Sequence, residues 1–220
     1  MKKIILGLII STIAVMAEAE IVNIKKALYS EYSYEVTTIL TVISKNNKIT
    51  KDVSANIKYK NNKLIKTKSG FHAESSAILK LRAQNNIITE VKTKTIYSLD
   101  KKYNIISLKE KTLLKGKEKV VSCSAIGKKV NLSSFNQEIG FKSSVSFNCS
   151  DKILRKKEIE LKKSHLGKIM LEVRDIMSGK DINNVDTKRI LLTNSGNIEG
   201  IAEELKSKIF ELNYMTTDIK

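Results

Sequence analysis

Proline and tryptophan are absent from this sequence, and cysteine and histidine occur only twice each. Without proline there is no proline-rich recognition segment and no cis-prolyl turn. Without tryptophan the chain lacks a common tool for stacking on sugars and anchoring interfaces. Glycine is held to nine scattered residues, so neither a phosphate-cradling loop nor a dinucleotide fingerprint is present. G-x-S-x-G and H-E-x-x-H are missing too. Arginine is scarce: Arg82, Arg155, Arg174 and Arg189 stand alone among 40 basic residues. No catalytic residue, metal-ligand set or cofactor is assigned, and the inventory points away from an enzyme. A hydrolase with dispersed carboxylates near His72 or His165 is the one catalytic reading left. His72 shares a predicted strand face with Glu74, although a solvated histidine on a polar face accounts for it more simply.

What the chain has in excess is lysine, with a formal net charge of +17 over 220 residues. At 41% apolar and 29% charged it is too hydrophobic for disorder and too interrupted for a polytopic membrane protein. The length suits one domain with a real core. The charge would suit nucleic acid, but base readout favours arginine forks, and the lysines alternate with apolar residues instead of forming a block. Nucleic acid is therefore not an expected partner. Alternating lysines describe the wet face of a sheet, with anionic envelope surfaces as the partner such a face would attract.

The start reads as an address. Met1-Lys2-Lys3, the apolar run Ile4 to Ala17 and then Ala17-Glu18-Ala19 fit a secretory signal peptide over residues 1–19, cleaved after Ala19. Residues 20–220 then form a single β-rich domain. No cysteine lies near the cleavage point, so a periplasmic or secreted protein is expected, not a lipoprotein. In that oxidising setting Cys123 and Cys149 are expected to form one disulfide, contributing roughly 3.5 kcal/mol on the chain-entropy model.

Ile21, Ile24 and Leu28 fall at helical spacing, which predicts a short helix over 20–28. From Tyr32 the period drops to two. Tyr32, Tyr34, Val36 and Leu40 alternate with polar residues, as do Val53, Ile57 and Tyr59, and then Val91, Tyr97 and Leu99. Asn46-Asn47, Asn61-Asn62 and Asn85-Asn86 punctuate the runs as hairpin signals. Residues 71–82 and 151–177 are ambiguous between helix and strand. The β neighbourhood favours strands, with a break at Gly167. Val145, Phe147 and Cys149 share one parity, so both cysteines are placed on strands. At the end Ile198, Ile201, Ala202, Leu205, Ile209 and Leu212 follow helical spacing behind Asn197, predicting a C-terminal amphipathic helix.

The fold class is therefore mainly β (α+β). We expect a long curved antiparallel meander sheet or half-barrel, a short N-terminal helix and a C-terminal amphipathic helix, with a disulfide-pinned β-sandwich as the alternative. A transmembrane barrel fits poorly, since aromatics are only 5% and the chain is expected to end in a helix. The order of a helix followed by long meandering strands resembles the periplasmic carriers of lipoproteins. That resemblance is one of architecture, carried by no motif, and it implies a concavity that holds an acyl chain. Tyr32, Tyr34, Val36, Leu40, Val53, Ile57, Tyr59, Val91, Tyr97 and Leu99 would line it. The expected function is a non-catalytic envelope protein binding a lipid or hydrophobic segment there. The alternative is an interaction module docking an envelope protein or anionic glycan through the lysine face. The sequence carries no signal for oligomeric state.

Overall fold

The structure, a computed structural model, describes residues 20–43, 49–83, 86–127, 134–180, 182–208 and 210–220. The expected signal segment, 1–19, lies outside the described residues. The described chain opens with β1 (Ile21–Asn23) and the short helix α1 (Lys25–Tyr29). Long strands follow: β2 (Tyr32–Ile43), β3 (Ile49–Asn61), the two-residue β4 (Ile65–Lys66), β5 (Gly70–Ala83), β6 (Asn86–Asp100) and β7 (Ile105–Leu114). Then come β8 (Lys117–Ile126), the short β9 (Asn136–Glu138), β10 (Lys142–Cys149), β11 (Leu154–Lys163), β12 (Ile169–Ser178), β13 (Asn183–Leu192), β14 (Ile198–Lys206) and β15 (Phe210–Thr216).

The main sheet runs β3-β2-β15-β14-β13-β12-β11-β10-β8-β7-β6-β5-β4, and β3 also pairs with β5. That last pairing closes it. With β4 set aside as an attachment to β5, a 12-strand antiparallel barrel remains. The mainly-β meander is as expected, but the curvature exceeds a half-barrel. β15 reaches back to β2, with Leu212 opposite Leu40, and β3 meets β5, with Ile57 opposite Leu79. Closure removes the exposed edges that an open meander would leave. The sheet thus closes on itself instead of packing on a second one, and the sandwich alternative is set aside.

The C-terminal helix is replaced by β14 and β15. Its helical spacing is produced by a bulge: Leu191 opposes Gly200 while Leu192 opposes Ile198, so Glu199 is the extra residue. One inserted residue shifts strand parity, bringing Ile198 and Ile201 to the same face at a three-residue step. Beyond it Ile201 and Leu205 keep to the inner face with Leu212 of β15, and Ile209 lies outside the described residues. At the other end the expected helix over 20–28 is split. Val22 is fully buried and Ile21 is 59% exposed, because β1 pairs with β9 as a strand; only Lys25–Tyr29 is helical. The uncertain stretches 71–82 and 151–177 are strands, and Gly167 sits in the turn between β11 and β12. Asn61 is no turn residue: it ends β3, buried, and donates its side-chain amide to the Ser30 carbonyl. The pair Asn46-Asn47 and the residue Asn85 lie outside the described residues. Lys115 and Gly116, with φ of 50° and 76°, make the two-residue hairpin between β7 and β8.

Apolar side chains are concentrated at one end of the interior. Leu99, Ile105, Leu108, Phe147, Ile159, Leu161, Leu171, Ile190 and Ile201 fill the interior near the end where the chain enters β2. Val22, Ile24 and Ala27 of the β1–α1 segment are buried against them and plug that end. The plug is tightly fitted. Gly196, at φ +79°, leaves room for the Asn23 carbonyl, which a Cβ would approach to 2.1 Å. The outer wall carries cross-strand ion pairs such as Lys58–Glu35 at 2.9 Å, Lys94–Glu74 at 2.8 Å and Lys142–Glu160 at 2.9 Å. Cys123 and Cys149 stand directly opposite each other on β8 and β10 and are bonded, both buried on the inner face.

Candidate ligand cavity

The plug and core do not fill the barrel. A cavity of about 470 Å³ remains in the lumen, within the ordinary range for small-molecule sites. Its origin is compositional. Three successive inward positions of β5, Ala73, Ser75 and Ala77, and two of β6, Thr93 and Thr95, carry small side chains, while Leu79 continues the β5 face. On the facing walls Ile57, Ile159, Val173 and Ile190 supply apolar surface, and Ala27 and Tyr29 of the plug form the floor.

Toward the end opposite the plug, charged residues take over the inward strand positions. Three ion-paired groups form a belt. Arg155 forks onto Asp151 at 2.8 and 2.9 Å and donates Nε–H to Glu110 at 2.8 Å. Lys157 pairs with Asp175 at 2.9 Å, and Tyr97 crosses from β6 to donate its hydroxyl to Asp175 at 3.1 Å. Lys188 pairs with Glu203 at 3.3 Å, and its ammonium lies 3.5 Å from the centre of the Tyr59 ring. Tyr214 and Tyr34 both donate to the same Glu203 oxygen, at 2.7 and 3.1 Å. Tyr97 and Tyr59 therefore tie distant walls together across the lumen, an arrangement in which aromatic faces and hydroxyls both find partners.

Asp186 is the exception. It is opposite Asp175 in the β12–β13 register, and its Oδ1 is shielded from solvent with no hydrogen-bond partner among the described residues. Burial, reinforced by the Glu203 charge and only partly opposed by Lys188, pushes its pKa well above the usual carboxylate range. Burial also raises Glu110, despite Arg155 beside it. Desolvation works against the Lys188 ammonium, but Glu203 and the oxygens of Tyr59, Tyr34 and Tyr32 outweigh it and hold its pKa high. Tyr97 is raised by burial first and by Asp175 second. A single unsatisfied acid inside a belt of satisfied charges is the chemical peculiarity of this cavity.

Of the residues expected to line a concavity, Tyr32, Ile57, Tyr59, Val91 and Tyr97 border the cavity. Leu40 and Leu99 are buried in packed interior, Val36 is half-buried against it, Val53 is buried outside the main core cluster, and Tyr34 belongs to the hydroxyl cluster on Glu203. Neither His72 nor His165 borders the cavity, so its carboxylates are not gathered around a histidine. Sequence reasoning missed Glu110, Arg155, Lys157, Asp175, Asp186, Lys188 and Glu203. Their signal was parity: Lys157 is in phase with Ile159 and Leu161, Asp175 with Leu171 and Val173, and Lys188 with Ile190 and Leu192. Charges in step with the apolar face of a strand are inward charges.

In comparison with known proteins, the chain matches no family model, no curated protein and no solved structure.

Proposed function

We propose that this is an exported binding protein of the cell envelope that encloses a small, largely apolar molecule, a lipid or similar ligand, in the lumen of its barrel. The observation that carries this reading is the cavity of about 470 Å³ left by small residues on β5 and β6 inside a barrel whose plugged end is densely packed. Alanine and threonine at those positions forgo contacts that larger apolar side chains would make, and a ligand restores them. The apolar floor suits a hydrocarbon body, and the charged belt suits a polar head. A closed wall also favours a small molecule over a polypeptide segment, which would need an open concavity.

Native mass spectrometry of the protein purified from its own cell envelope tests this. A co-purifying mass of small-molecule size, released on denaturation, is expected. Protein that is ligand-free as isolated and also takes up no apolar molecule in vitro would overturn it.

A further inference from the structure

We infer that the ligand is an amphipathic monoamine, whose ammonium head docks on Asp186 while its apolar body lies along β5 and β6. This deepens the reading of the lumen as a binding cavity and rests on it.

The charges of the belt that are already paired decide which head group the cavity takes. Arg155 is held by Asp151 and Glu110, Lys157 by Asp175, and Lys188 by Glu203. Among the described residues no cation of the belt is left uncommitted for Asp186, which borders the cavity. The groups facing it have been assigned: Asp175 opposite on β12 is taken by Lys157 and Tyr97, and Glu203 on β14 by Lys188, Tyr34 and Tyr214. Leu205 opposes it on β14, and Asn184 and Lys188 flank it on its own strand. A ligand bringing one positive charge and several N–H donors supplies the Asp186 carboxylate, at the cavity wall, with the cation it lacks. An anionic head would add charge to a region already short of a cation. A metal ion would meet a single uncommitted carboxylate, and among the described residues no cluster suited to holding one is found. The elevated proton affinity of Asp186 agrees with an acid waiting for a counter-charge.

The protein's overall charge of +17 makes the test a sharp one, because long-range attraction favours an anion and only the local cavity favours an amine. Decylamine, decanol and decanoate share one apolar body and differ in the head. Each is titrated against full-length processed protein carrying a fluorescent apolar probe, in parallel with Asp186→Asn, a neutral isostere whose folding is checked by circular dichroism. Decylamine is expected to displace the probe at a concentration about tenfold lower than decanol, with decanoate weakest, and Asp186→Asn is expected to abolish the amine preference. The wild-type preference should weaken as acid protonates Asp186. Equal displacement by all three, a preference for decanoate, or an amine preference that survives Asp186→Asn overturns the amine assignment and leaves the cavity reading intact. Failure of the probe and all three compounds to bind overturns the cavity reading itself.

Discussion

Asp175 and Asp186 face each other across β12 and β13 at one register position, yet only Asp175 has a cation, Lys157 at 2.9 Å. Directly opposed carboxyls on neighbouring strands repel, and the pair survives because burial keeps a proton on Asp186 more readily than on an exposed acid.

Asp186→Asn should therefore stabilise the ligand-free protein at neutral pH, by about 1 kcal/mol or more. The sign follows from linkage. With its folded pKa above its unfolded value, Asp186 makes the folded state lose stability as pH rises from the ordinary carboxylate pKa through the elevated one. The gain from Asn should shrink as pH falls back through that window and vanish once both states are protonated. Urea unfolding at a series of pH values checks it, and a constant difference at all pH values would contradict it.

Glu172 on the outer wall should behave oppositely. It is buried, which on its own raises its pKa, but hydrogen bonds from Lys162 and Arg189 and the charge of Arg174 bring it below the ordinary glutamate value. Its contribution is present above the unfolded pKa and is lost as pH falls through the depressed one. Glu172→Gln should destabilise the barrel by roughly 1–3 kcal/mol at neutral pH and by little in strong acid. A loss independent of pH would point to packing instead of charge.

Lys188 and Glu203 form a buried pair, each 15% exposed. Glu203→Gln or Lys188→Met alone should cost about 3–5 kcal/mol, because each leaves a charge without its partner. The double variant should recover part of that loss. A thermodynamic cycle from chemical denaturation measures the coupling, and additive losses would show that the two charges do not interact.

The Cys123–Cys149 bond joins facing positions of β8 and β10. Maleimide should label neither cysteine in unreduced, denatured protein. Replacing both by alanine should lower stability by about 3–4 kcal/mol. Two labels per chain would contradict the bond.

How far the sequence reveals this fold depends on how local each feature is. The alternation of Val145, Phe147 and Cys149, or of Tyr32, Tyr34 and Val36, is local, and it reads directly as strand with one buried face. Closure is not local: the pairing of Leu40 with Leu212 joins strands near opposite ends of the chain, and nothing in either strand names the other. The bulge at Glu199 imitates a helix because one inserted residue turns a two-residue period into a three-residue step. Tyr32, Tyr59 and Tyr97, which border the cavity, were legible as inward residues, whereas Tyr29 of the plug was not. The belt of acids and lysines was not, since lysine on a strand ordinarily marks the wet face. Only the phase of Lys157 and Lys188 relative to their apolar neighbours tells the two apart.

The central claim is that the lumen receives a ligand where β5 and β6 are lined by small residues, and filling that space tests it most directly. Ala77 lies between Tyr59 of β3 and Thr93 of β6 and borders the cavity. Ala77→Phe should occupy it, with Thr95→Met as a second variant should the first fail to fold. Titration of an apolar fluorescent probe into wild-type and variant protein should show saturable binding to the wild type and loss of binding in a variant that remains folded by circular dichroism. Binding of equal strength to both proteins would contradict the claim.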